Sequence, residues 1–336
     1  MSRLSRYSAV STALALLSDR QLGQLVASAA PAGTGIGGSS VRLDVEDVPV
    51  FAKQVALTDL ERQPGNVMST ANLFELPPYF QYGVGSPGFG AWRELAAHTM
   101  TTNWVLSGQS DAFPLLYHWR VLPDAPAASD KRADVDGAVA YWGGSAAVRA
   151  RFTALAEASA SLVLFLEHIP HSVADWLPTQ LTDIEPAAEM VDRLLRDGAT
   201  VMDAGGLTHF DAHFANVLTD GHRLYFGDMG LATSPRFDLS PDERAFLARH
   251  PRFDHLYTAT HFVIWLLDNV CGVPRSERGE HLRRYADGLA APDAPPAVAA
   301  IIRRHAPVAT VVYDFYSRLL TESRATPFPT RLVLAT

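Results

Sequence analysis

Between residues 209 and 230 the chain carries side chains suited to acid–base and metal chemistry: His209, Asp211, His213 and Asn216, then Asp228-Met229-Gly230. The spacing is H-x-D-x-x-x-x-N, with a D-x-G whose aspartate lies 17 residues beyond Asp211. Taken singly these residues are ordinary, since Asp and Asn cap helices and make turns. Here they sit between short apolar runs, Val217-Leu218 and Leu224-Tyr225-Phe226, that read as strands. Asn216 and Asp228 offer hard oxygens of the kind Mg²⁺ takes, a cation that keeps several waters and needs few protein ligands. His209, Asp211 and His213 are also ligand types for zinc, but a zinc hydrolase leaves Asn216 without a role.

The elements that must position such a set lie upstream. Residues 41–56 alternate as two strands, Val41-Leu43-Val45 and Val48 to Val55, around a turn at Glu46-Asp47. The second strand carries Lys53, one of only two lysines in the chain, the other being Lys131. The glycine run Gly33-Thr34-Gly35-Ile36-Gly37-Gly38 matches G-x-G-x-x-G. A dinucleotide fingerprint would open a helix. β-patterned residues follow here instead, which favours a hairpin covering phosphates. Residues 58–90 read as a loop rich in turn formers. Ala91 to Leu106 has helical spacing and contains Glu94, and Phe113 to Leu122 reads as a strand. Residues 124–144 read as an inserted loop, and Ser145 to Ala158 as a helix. Leu162 to Leu166 is a buried strand closed by Glu167-His168-Ile169-Pro170.

In this order the motifs resemble the protein-kinase-like superfamily, in the form of aminoglycoside phosphotransferases and choline kinases, over roughly residues 25 to 270. The resemblance implies an α+β, bilobal fold: a small antiparallel sheet with one main helix as N-lobe, and a larger, mainly helical C-lobe. Residues 1–169, with insertions at 58–90 and 124–158, would form the first, and 170–336 the second. It implies a Mg²⁺- and ATP-dependent enzyme. Asp211 would accept or orient the acceptor proton, with His209 and Lys53 also in catalytic positions. Asn216 and Asp228 would hold Mg²⁺. Gly35, Gly37 and Gly38 would cover the nucleotide, Lys53 would meet its phosphates, and Glu94 would fix Lys53. Adenine would meet the chain near Glu167, His168 and Ile169.

Departures narrow the class. Phe210 replaces the arginine of H-R-D and no A-P-E follows Gly230, which argues against a signalling protein kinase. The stretches Pro78 to Gly85, Ala91 to Leu95 and Leu164 to Pro170 resemble kinase components of thioamitide and class V lanthipeptide biosynthesis. That resemblance implies phosphorylation of Ser or Thr in a ribosomal precursor peptide, with a partner lyase or cyclase eliminating phosphate afterwards. One alternative is an O-phosphotransferase for a cationic, aminoglycoside-like antibiotic, with Asp238, Asp242, Glu243 and Asp254 lining its pocket. Another is a kinase-shaped binding subunit without turnover, although Lys53, Asp211 and Asp228 are all present.

Composition sets outer limits. The 336 residues, 48% apolar and 19% charged, suffice for two domains and exclude a disordered chain. Cys271 is the sole cysteine, so no disulfide forms within the chain. A net charge of −8 speaks against nonspecific nucleic-acid binding. No apolar run is long enough for a membrane span. Arg3 and Arg6 before Ala9 to Leu17 imitate a secretory signal, but Ser18-Asp19-Arg20 ends the run without a small-residue cleavage site, so an amphipathic helix and a cytoplasmic protein are expected.

Overall fold

The computed structural model describes residues 2–35, 38–83, 85–124, 134–289 and 293–329. The protein is α+β: a five-stranded antiparallel sheet, a second sheet of three short strands, and a mainly helical remainder. The chain divides into two compact units, Met1–His168 with Asp228–Ser240, and Ile169–Gly227 with Pro241–Thr336. The sequence reading placed Asp228 to Ser240 with the helical half. Contacts with residues 58–94, described below, bring that segment into the first unit instead.

The first unit is built on strands β1 (Ala30–Gly35), β2 (Gly38–Val45), β3 (Val48–Leu57), β4 (Leu116–Pro123) and β5 (Ala160–Glu167), in the order β1-β2-β3-β5-β4. Glu46 and Asp47 both take positive φ, 51° and 57°, the geometry that joins two twisted strands tightly. All eight residues of β5 are buried. It lies between β3 and β4, which explains why its sequence is a continuous apolar run rather than an alternation. Phe51, Lys53, Val55 and Leu57 share one face of β3. On that face Val55 and Leu57 pack with Trp92 and Leu95 of the helix Ala91–Leu106, so strand periodicity delivers Lys53 to the same helix.

Two stretches depart from expectation. Residues 58–90, read as a loop, contain a helical turn at Asp59–Arg62 closed by a Thr58/Glu61 capping box, and a 3₁₀ turn at Pro78–Tyr82. Within 124–144, also read as a loop, Val135–Tyr141 is helical and is followed by the helix Ala146–Ala156. These two regions, taken as separate insertions, share one core: Leu76, Phe80 and Phe89 pack with Trp142, Val148 and Phe152. Beneath it Arg151 Nη1 meets Glu61 Oε2 at 2.9 Å, with both side chains 1% exposed. Lys131 lies outside the described residues.

The N-terminus forms the helix Arg3–Ala15, with Val10 and Leu14 on its buried side. Among the described residues no helix is long and apolar enough to cross a membrane.

In the second unit the helices Ile184–Gly205, Phe253–Asn269 and Pro296–Thr321 pack on one another. Val191, Leu195, Ala199 and Met202 recur at helical spacing on the buried side of the first of these. The small sheet of β6 (His171–Ser172), β7 (Val217–Thr219) and β8 (Leu224–Phe226) brackets the 207–216 loop.

Arg151→Met strands Glu61 in the core without its cation. A loss of about 3–5 kcal/mol is expected in chemical denaturation of the full chain. A loss below about 1 kcal/mol, the scale of an exposed pair, would contradict the buried-pair description.

Candidate active site

Within the first unit Lys53 Nζ lies 2.7 Å from Glu94 Oε1 and 2.8 Å from Asp228 Oδ1. Lys53 is 8% exposed and Glu94 3% exposed, whereas the Asp228 side chain is about half exposed. Burial by itself lowers the lysine pKa. The Asp228 and Glu94 carboxylates outweigh burial and hold the ammonium well above its usual value. Glu94 sits in the first turn of its helix, where a carboxylate also faces the positive end of the helix dipole.

Asp228 adopts φ 51°, ψ 75°, a left-handed conformation that Asp tolerates better than bulkier residues. Its Oδ1 also accepts from the Gly230 amide at 3.3 Å, closing the turn that follows.

The glycine run sits one strand away. Ser40 pairs with Lys53, and Ser39 with Gln54, across β2 and β3. Gly35 pairs with Gly38 at the turn end of the hairpin, and Gly37 lies outside the described residues. A Cβ on Gly38, whose φ is +152°, would fall 1.9 Å from the Gln54 carbonyl oxygen. Gly38 is therefore required by the approach of β3, whatever else the hairpin covers.

In the second unit the 209–216 loop is held from both ends. The Asp211 amide donates to His209 Nδ1 at 3.3 Å, so the ring proton resides on Nε2, which donates to the Gly227 carbonyl at 2.7 Å. His209 is fully buried with both nitrogens engaged. A zinc ion or a transferred proton would have to displace one of these two contacts.

Phe210 has φ +64° and is fully buried. Its ring lies 4.6 Å from Phe253 and 5.6 Å from His250, centroid to centroid. The Phe210 side chain thus sits in an aromatic cage. Asp254 fixes the backbone at this strained point: Oδ2 accepts from the His209 amide at 2.7 Å and Oδ1 from the Phe210 amide at 3.1 Å. Asn216 Nδ2 donates to the Asp211 carbonyl at 3.0 Å and to Asp211 Oδ2 at 3.1 Å. His213 Nε2 stands 3.8 Å from the same carboxylate oxygen.

Each unit carries hard oxygens of the kind magnesium takes. Asn216 in the second unit uses Nδ2 for both bonds to Asp211 and keeps Oδ1 out of them, and Asp228 in the first presents a half-exposed carboxylate. Among the described residues no three His, Cys, Asp or Glu side chains are grouped to hold a metal unaided. Magnesium bound by one or two protein oxygens plus phosphate does not need such a cage.

Other expected residues stand differently. The Glu167 amide donates to the Leu115 carbonyl at 2.8 Å, so that N–H is already used. The Glu167 carboxylate is gripped by Arg3, with Nη2 at 2.6 Å and Nε at 2.9 Å from Oε2, and receives the Leu115 amide at 3.2 Å. Of the residues expected beside adenine, Glu167 thus uses its side chain to anchor the N-terminal helix. His168 and Ile169 flank the boundary between the two units. Asp254, weighed as a wall of a cationic-drug pocket, is 1% exposed and spends its carboxylate on the loop; Glu243 is likewise buried.

No protein-family model matches the chain, and no curated protein sequence matches it.

Burial pushes Asp254 up to about 7, against the opposing effect of its two amide donors. Over about pH 4 to 7 the folded state therefore keeps a proton that the unfolded state has released, and stability falls as pH rises through that window. Asp254→Asn should remove up to about 1.4 kcal/mol per pH unit of this slope, measured by denaturation across pH. An identical pH profile in the variant would place the titration elsewhere.

Proposed function

We propose that the chain is a Mg²⁺-ATP-dependent phosphotransferase of the protein-kinase-like kind, acting on a hydroxyl group. The sheet unit serves as its nucleotide-covering lobe and the helical unit as its catalytic lobe. One observation carries this reading above the rest: the strand lysine Lys53 lies between the helix glutamate Glu94 and the D-x-G aspartate Asp228. Three residues far apart in sequence, each picked for its motif, meet at hydrogen-bond distance, and no ordinary demand of core packing requires that triad.

The roles follow from chemistry. Lys53 binds phosphate oxygens, exchanging part of its contact with Asp228 for the nucleotide, and Glu94 keeps its ammonium aimed. Asp228 and Asn216 Oδ1 would hold magnesium, which when bound offsets charge on the phosphates. Asp211 accepts the proton of the acceptor hydroxyl as the new O–P bond forms and the bond from the terminal phosphorus to the departing ADP oxygen breaks. Asn216, bonded to the Asp211 carboxylate, orients it. His209 and Asp254 keep the loop in the conformation that presents it.

For the acceptor we propose Ser or Thr hydroxyls of a ribosomal precursor peptide, with a partner lyase eliminating the phosphate. The resemblance of Pro78 to Gly85, Ala91 to Leu95 and Leu164 to Pro170 supports it. The burial of Asp254 and Glu243 removes two of the four acids offered for a cationic antibiotic. Incubation with its cognate precursor peptide and Mg²⁺-ATP should give phosphate mass additions by mass spectrometry. Asp211→Ala should slow them by about 10²–10⁴-fold while nucleotide binding persists. Equal output from the variant would favour a non-catalytic subunit, and no addition by the wild-type chain would remove the peptide reading.

A further inference from the structure

We infer that residues 58–90 are a built-in positioning device for the metal-binding turn at Asp228, with Gln81 and Gly88 as its working residues. The metal role of Asp228 is taken from the proposed phosphotransferase reading; the tether itself is independent of it.

Three contacts make the tether. Gln81, 5% exposed, donates from its side-chain amide to the Leu231 carbonyl. Gly88, at φ +78°, lies so close to the turn that a Cβ would fall 2.2 Å from the Gly230 carbonyl oxygen. Thr70 Oγ1 accepts from the Asp238 amide at 2.9 Å. Together they hold the segment near both ends, and it belongs to the first unit for that reason.

The turn needs holding. Asp228 is strained at φ 51°, and its side chain is held by Lys53 at 2.8 Å. A lysine that shifts toward phosphate slackens that bond at the moment Asp228 is needed. Gln81 and Gly88 act on the backbone of residues 230 and 231, so their grip survives the exchange. Two of the three hydroxyl side chains of this segment, Thr233 and Ser234, are 5% and 0% exposed, which shields them from modification. The insertion thus keeps the turn permanently in its working shape.

The test uses the full chain with Gln81→Met, which keeps shape but lacks the donor, and Gly88→Ala. Hydrogen exchange without nucleotide should quicken about tenfold at residues 229–232, with β3 and β5 unaltered. The Mg²⁺ concentration needed for tight binding of a non-hydrolysable ATP analogue should rise about tenfold, with metal-free affinity of the analogue unchanged. Unchanged exchange and Mg²⁺ dependence overturn the inference. So does faster exchange spread evenly over the sheet, which marks a merely structural role. A wild-type chain showing no Mg²⁺-dependent binding overturns the phosphotransferase reading instead, and the exchange measurement still decides the tether.

Discussion

A buried ammonium must be compensated, and much of the first unit is arranged around that demand. Removing a lysine from water costs several kcal/mol, which a single neighbouring carboxylate recovers only with good geometry. Lys53 has two, at 2.7 and 2.8 Å. One comes from the helix packed on its own face of the sheet, the other from a turn 175 residues along the chain. If either acid were missing, the remaining pair would not balance burial as well. The sheet register, the helix Ala91–Leu106 and the 58–90 segment are each explained by what they contribute to this cluster.

The second unit solves a different problem, which is to keep a short polar loop in a conformation the backbone resists. Phe210 at φ +64° is held by apolar burial of its ring and by the carboxylate of Asp254 on the adjacent amides. His209 ties the start of the loop to Gly227, the residue immediately before Asp228. Strained conformations of this kind persist only where surrounding contacts over-determine them, and they concentrate at functional loops. The same logic appears at Asp228, whose strained backbone is fixed by its own side chain, by Lys53 and by the carbonyl contacts of Gln81 and Gly88.

Much of this was legible in the sequence, and the failures have physical causes. Lys53 and Glu94 were readable because strand alternation and helix spacing are local periodicities. Val217-Leu218 and Leu224 to Phe226 were readable as strands for the same reason. Residues 58–90 were not, because their order comes from Leu76, Phe80 and Phe89 packing against Trp142 and Phe152, aperiodic contacts across a long separation. The Glu167–Arg3 pair was not readable either, because the two residues lie 164 positions apart. Asp254 carried a usable signal: it stands among Phe253, Leu256, Tyr257 and Thr258 on the buried side of its helix, where an acid must have a hydrogen-bonding duty.

The central claim, a lysine held by two acids and poised for phosphate, can be observed directly because the chain has only Lys53 and Lys131. Selective ¹⁵N-lysine labelling should give two side-chain signals, assigned with Lys131→Arg. Lys53 should stay protonated well above the ordinary lysine range, and Mg²⁺-ATP should shift its signal. Two lysines titrating together near the ordinary value, with neither responding to Mg²⁺-ATP, would contradict it.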